Sequence, residues 1–133
     1  MSDPTADLAF VNEYLARWNR HDVEGIVSMM TEDCVFDSSM GPDVHGRRFV
    51  GHDQIRQGIE RLIKGAPEFA FSEVEAFVHD DRAVSEWTMT HTAPGGERVS
   101  VRGCDLFRLR DGKISYKDSY RKDRAGAQYH GLE

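Results

Sequence analysis

The chain has 133 residues, 39% of them hydrophobic, and a formal net charge of -6 at pH 7. That length makes one domain with a core and room for a ligand-sized cavity, and is too short for two. The acidic balance argues against a nucleic-acid module and against binding to an anionic membrane.

The opening MSDPTADLAF has neither the basic start of a secretion signal nor a long apolar run, so the cytoplasm is the expected compartment. Phe10, Val11, Tyr14, Leu15 and Trp18 then recur at helical spacing and predict an amphipathic helix over about Asp7–Asn19. Asn19-Arg20-His21 ends it. Asp22 is placed to cap a short second helix that turns Val23, Ile26, Val27 and Met30 inward. Cys34–Ser38 reads as a strand, and Ser39–Gly51, with four Gly or Pro residues, as loop. A third helix carries Ile55, Ile59, Leu62 and Ile63 on one face and ends at Gly65-Ala66-Pro67.

From Glu68 the period changes to two. Phe69 and Phe71 share one phase and Val74, Ala76 and Val78 the other, which a β-bulge near Ser72–Glu73 would reconcile while curving the sheet. A hairpin turn at His79–Arg82 leads to a strand over Ala83–Thr92 in which Ser85, Trp87, Met89 and His91 alternate against Glu86, Thr88 and Thr90. After the turn Ala93–Glu97 comes VSVRGCDLFRLRDGKI, with Val101, Gly103, Asp105, Phe107 and Leu109 on one side. Asp105 thus shares the apolar face, where an ionised carboxylate is costly unless partnered. It is either a buried structural acceptor or the polar group of a pocket. Asp111-Gly112 makes a type I′ turn into a last strand from Ile114 to about Lys122. Simple alternation from Ile114 sends Asp118 inward. Residues 123–133 read as a frayed tail to a core of about 7–122. Cys34 and Cys104 have no metal-ligand spacing and are read as reduced packing residues.

The order of elements, with YLARWNRHDVEGIVSMMTEDCVF, GRRFVGHDQIRQGI and CDLFRLRDGKI, resembles the nuclear-transport-factor-2-like superfamily over roughly Leu8–Lys122. Within it the chain is most similar to the SnoaL-like and ketosteroid-isomerase-like branch. The resemblance implies an α+β fold: a cone-shaped, curved antiparallel sheet wrapped around three N-terminal helices and enclosing an apolar pocket. It also implies an oxyanion site in which Tyr14 supplies a phenol and Asp105 a protonated acid, both donating to a developing enolate. The family's general base falls at Ser38, with the carboxylate one place earlier at Asp37, and a one-residue slip in a strand turns a side chain to the other face. The family count also favours Lys117 and Ser119, over Asp118, as inward residues of the last strand.

The resulting expectation is a cofactor-independent enzyme that moves a proton on a small apolar carbonyl compound. Asp105 and Tyr14 would stabilise the oxyanion, and Asp37, or otherwise His91, would act as base. Phe36, Ser38, Trp87, Met89 and Phe107 would contact substrate. Its rival is a noncatalytic ligand-binding or protein-interaction domain of the same fold. His45, His52 and Asp53 lack a third convergent ligand, so no metal is expected. Arg102, Arg108, Lys117 and Arg121, with Cys104 and Leu106, are placed on the outer sheet face, which in the superfamily commonly joins two subunits. A homodimer through that face is expected.

Overall fold

The computed structural model describes residues 3–122; the tail expected to fray lies outside them. Its elements are helices α1 (Pro4–Asn19), α2 (Val23–Ser28) and α3 (Gly51–Gly65), and strands β1 (Met30–Asp37), β2 (Arg48–Val50), β3 (Ala70–His79), β4 (Arg82–Thr92), β5 (Arg98–Arg110) and β6 (Lys113–Arg121). One open six-stranded sheet runs in the order β2-β1-β6-β5-β4-β3. Strands β3 to β6 form the expected antiparallel meander, whereas β1 runs parallel to β6. The sheet is therefore mixed, and the parallel pair is joined by a long crossover, not a hairpin.

Local chemistry sets the boundaries. The Asp3 carboxylate caps α1 by accepting from the Thr5 and Ala6 amides, and Pro4 follows at the first helical position, so the helix starts three residues before the periodicity does. At its other end the Asn19 amide group both donates to the Phe71 carbonyl and accepts from the Phe71 amide, tying α1 to β3. Asp22 caps α2 through the Gly25 amide, as expected. The helix ends at Ser28 and β1 begins at Met30, four residues earlier than the apolar pattern predicted. Met30 stays fully buried, but as a strand residue.

The segment Ser39–Gly51 is not all loop. Arg48–Val50 pairs with Val35–Asp37 as the edge strand β2, too short to leave a period in the sequence. At Gly51 (φ +80°) the chain turns directly from β2 into α3.

Two bulges decide which residues face the helices. The first falls between Ser72 and Glu75, with Glu73 at φ +51°, where the phase change of β3 predicted it. The second places Ser115 as an extra residue between the pairs Leu109–Ile114 and Arg108–Tyr116. After it, Lys117 and Ser119 follow Ile114 inward. Asp118 does not. The core gathers Tyr14, Leu15 and Trp18 of α1, Ile26 and Val27 of α2, Ile55 and Ile59 of α3, and Phe107 and Ile114 from the sheet. No helix among the described residues is long and apolar enough to cross a membrane.

Candidate active site

Three cross-strand rows on the inner face of β4, β5 and β6 build the site: Ala83–Phe107–Lys117, Ser85–Asp105–Ser119 and Trp87–Gly103–Arg121. Between these rows and Trp18, Phe36 and Phe71 lies a cavity of about 190 Å³, with Met40 and Leu62 exposed at its rim.

Asp105 lines this cavity and is 2% exposed. The Ser119 hydroxyl donates to its Oδ1 at 2.5 Å, and the Trp87 indole N–H donates to its Oδ2 at 3.1 Å. Directly across the ladder, the buried Ser85 hydroxyl has no hydrogen-bond partner among the described residues. Gly103 makes the Trp87 contact possible. A Cβ there would lie 2.4 Å from the indole ring and 2.5 Å from the Tyr120 carbonyl oxygen. A glycine inside a strand signals this kind of close approach.

Lys117, 4% exposed, brings its ammonium group into a box of aromatic faces. Nζ is 4.0 Å from the centroid of Trp18, 4.7 Å from Phe36 and 5.2 Å from Tyr14. No hydrogen-bond acceptor reaches it among the described residues. Burial pulls its pKa below the usual lysine value, and the charge of Asp105 acts against that fall. The ring faces also favour the cation.

The expected residues divide. Phe36, Ser38, Trp87, Met89 and Asp105 line the cavity together. Tyr14 and Phe107 are fully buried behind it, packed edge to face at 5.7 Å. The Tyr14 hydroxyl donates to the Met30 sulfur at 3.7 Å, and burial drives the phenol pKa far up. Among the described residues it makes no hydrogen bond to Asp105, whose charge adds to the rise, and it does not line the cavity.

Asp37 is on the opposite face of β1 from Phe36, which corrects the assignment of this carboxylate to the pocket. Arg48 Nε and Nη2 each donate to it at 2.8 Å, and the Tyr116 hydroxyl donates at 2.5 Å. The hydrogen bonds from Arg48 hold its pKa below the usual carboxylate value, helped by Tyr116, whose own pKa is pushed up to about 12, chiefly by burial. The strand does not re-aim Asp37; ordinary alternation turns it out and Ser38 in. His91, the other candidate base, borders a neighbouring cleft with Val99 and Val101, not the Asp105 cavity. The outer-face placement of Lys117 and Arg121 is also overturned, because the Ser115 bulge reverses the phase of β6.

The SnoaL-like domain model matches residues 11–117. The chain belongs to the SnoaL-like family. No curated protein matches this SnoaL-like chain. Among solved structures it is similar to a protein of Xanthomonas campestris pv. campestris provisionally described as a polyketide cyclase, at 21% identity and a TM-score of 0.77, covering 90% of this chain and 92% of that one. It is also similar to AclR of Streptomyces galilaeus, provisionally described as a hydroxylase, at 25% identity and a TM-score of 0.73, with 92% and 82% covered. An NTF2-like protein of unknown function from Mesorhizobium loti is 26% identical, with a TM-score of 0.71 and 92% and 97% covered. The fold is thus that of the NTF2-like superfamily, a scaffold on which function resides in the particular site.

Lys117 and Arg121 are the site residues that periodicity assigned to the wrong side. The signal that finds them is the family count for the last strand, which favours Lys117 and Ser119 as inward.

Proposed function

We propose that this SnoaL-like protein is a cofactor-independent enzyme that transfers a proton on a small, largely apolar carbonyl compound held in the Asp105 cavity. The observation that carries the reading is that one cavity is lined both by Asp105, fixed at both oxygens, and by Lys117, whose ammonium lies over aromatic rings. Asp105 takes a proton from the carbon next to the substrate carbonyl, and the electron pair moves onto the carbonyl oxygen. The Lys117 ammonium stabilises that enolate, in a setting where little water competes with it. Returning the proton to another carbon completes an isomerisation. Attack of the enolate on a second carbonyl of the same molecule, with Asp105 giving its proton to the alkoxide that forms, completes a cyclisation, and loss of a β-hydroxyl as water, with the proton from Asp105, completes a dehydration.

This reassigns the base from Asp37 to Asp105 and the oxyanion partner from Tyr14 to Lys117. Similarity to proteins described as a polyketide cyclase and a hydroxylase supports an enzyme over an interaction module. The binding-domain reading has one observation in its favour: both Asp105 oxygens already have partners, as a purely structural acceptor would.

Exchange of the α-protons of 2-tetralone with deuterated water, followed by NMR, separates the two. Asp105→Asn is expected to lower enzyme-dependent exchange about 100-fold or more. Lys117→Met is expected to lower it similarly, and Asp37→Asn to leave it within about twofold. Exchange undiminished in Asp105→Asn would exclude the proposal; saturable binding without exchange in the wild type would leave a binding domain.

A further inference from the structure

We infer that Arg121 anchors a single negative charge on the ligand, so that the compound taken up is a small planar organic acid with its carboxylate at the cavity mouth. The inference rests on the Asp105 cavity being the ligand site, and adds to it the class of compound.

Arg121 ends β6 on the same face as Lys117 and Ser119, in the row next to that of Asp105. Adjacent rows lie roughly 7 Å apart along a strand, a span that a single substituted ring bridges. Its guanidinium carries five donors in a fork suited to a carboxylate. Among the described residues that fork meets only two thioether sulfurs, Met40 Sδ at 2.8 Å and Met89 Sδ at 3.5 Å. Thioethers are weak acceptors. Arg17, Arg48, Arg56 and Arg110 of this acidic chain each hold a carboxylate, whereas Arg121 holds none among the described residues.

The groups around the cavity are unequal in number too: two basic side chains, Lys117 and Arg121, face it beside a single carboxylate, Asp105. Leaving a half-buried guanidinium without a counter-ion is costly, and a carboxylate bound through two parallel N–H···O bonds removes the cost. Met40, 68% exposed, is a flexible side chain that can leave the guanidinium when the acid arrives. The carboxylate then reads one end of the ligand, while Asp105 and Lys117 act on the other.

Titration of the full chain with cinnamate and with cinnamamide, its neutral isostere, tests this through Trp18 and Trp87 fluorescence. Cinnamate is expected to bind at least about tenfold more tightly. Arg121→Gln should bring the two affinities within about twofold by weakening the acid alone, and Arg121→Lys should recover part of the difference. Equal wild-type affinities, no saturable binding of either probe, or an acid preference that survives in Arg121→Gln would each overturn the inference. Absence of proton exchange with the acid preference intact would remove only the catalytic proposal and leave this one standing.

Discussion

Asp37 and Asp105 are both buried carboxylates on strands, yet their partners differ in kind. Asp37 meets a guanidinium in a two-pronged bond, together with a phenol, and is held as an ion by that pairing. Asp105 meets an indole and a hydroxyl and has Lys117 near it without a direct bond, the setting in which the proposed proton transfer places it. Removing the Asp37 charge should therefore cost stability and spare activity. Asp37→Asn is expected to lower the unfolding free energy by about 1–2 kcal/mol at pH 7, a figure reduced because Arg48 is partly exposed to water. The folded pKa of Asp37 lies below its ordinary value of 3.8, so the folded state holds the carboxylate ionised where the unfolded chain takes up a proton. The wild-type advantage is then complete above pH 4 or so and fades as the pH falls through the folded pKa. Urea melts of both proteins from pH 7 down to pH 3 would show it; a gap that stays constant or widens toward acid would contradict the pairing.

At the scale of elements, β5 and β6 carry the site through one glycine and one bulge. Gly103 leaves the space across which Trp87 reaches Asp105. Gly103→Ala would drive a methyl group into the indole and into a backbone carbonyl, and backbone cannot yield as a flexible side chain does. A loss of about 1–3 kcal/mol is expected, with a shifted Trp fluorescence maximum, measured by chemical denaturation. An unchanged midpoint and spectrum would mean that Trp87 does not lie over Gly103. The alternation of β4 and β5 and the bulge in β3 were legible because apolar residues mark one face of each strand. The bulge in β6 was not. Around Ser115 both phases bring charged residues inward, so hydrophobicity cannot choose between them, and pairing to β5 does.

For the whole molecule, the outer sheet face retains Arg102, Arg108, Cys104 and Leu106, with Tyr120 half exposed, after Lys117 and Arg121 are moved inside. The homodimer expected through this face is now a proposal about a less basic surface. Light scattering after gel filtration should give a dimer for the wild type and a monomer for Leu106→Glu, which buries a charge only if the face is covered. A wild-type monomer at micromolar concentration would remove the interface. By itself the sequence determined the helices, the meander, the family and the burial of Asp105, because period, caps and turn residues act within a few positions of the chain. Only the tertiary structure decided that β1 runs parallel to β6, that Asp37 faces Arg48, that Arg121 enters the cavity, and that the family count for Lys117 and Ser119, not simple alternation, gives the phase of β6. Each of these depends on the register between separate strands, where a shift of one position exchanges the two faces of a strand.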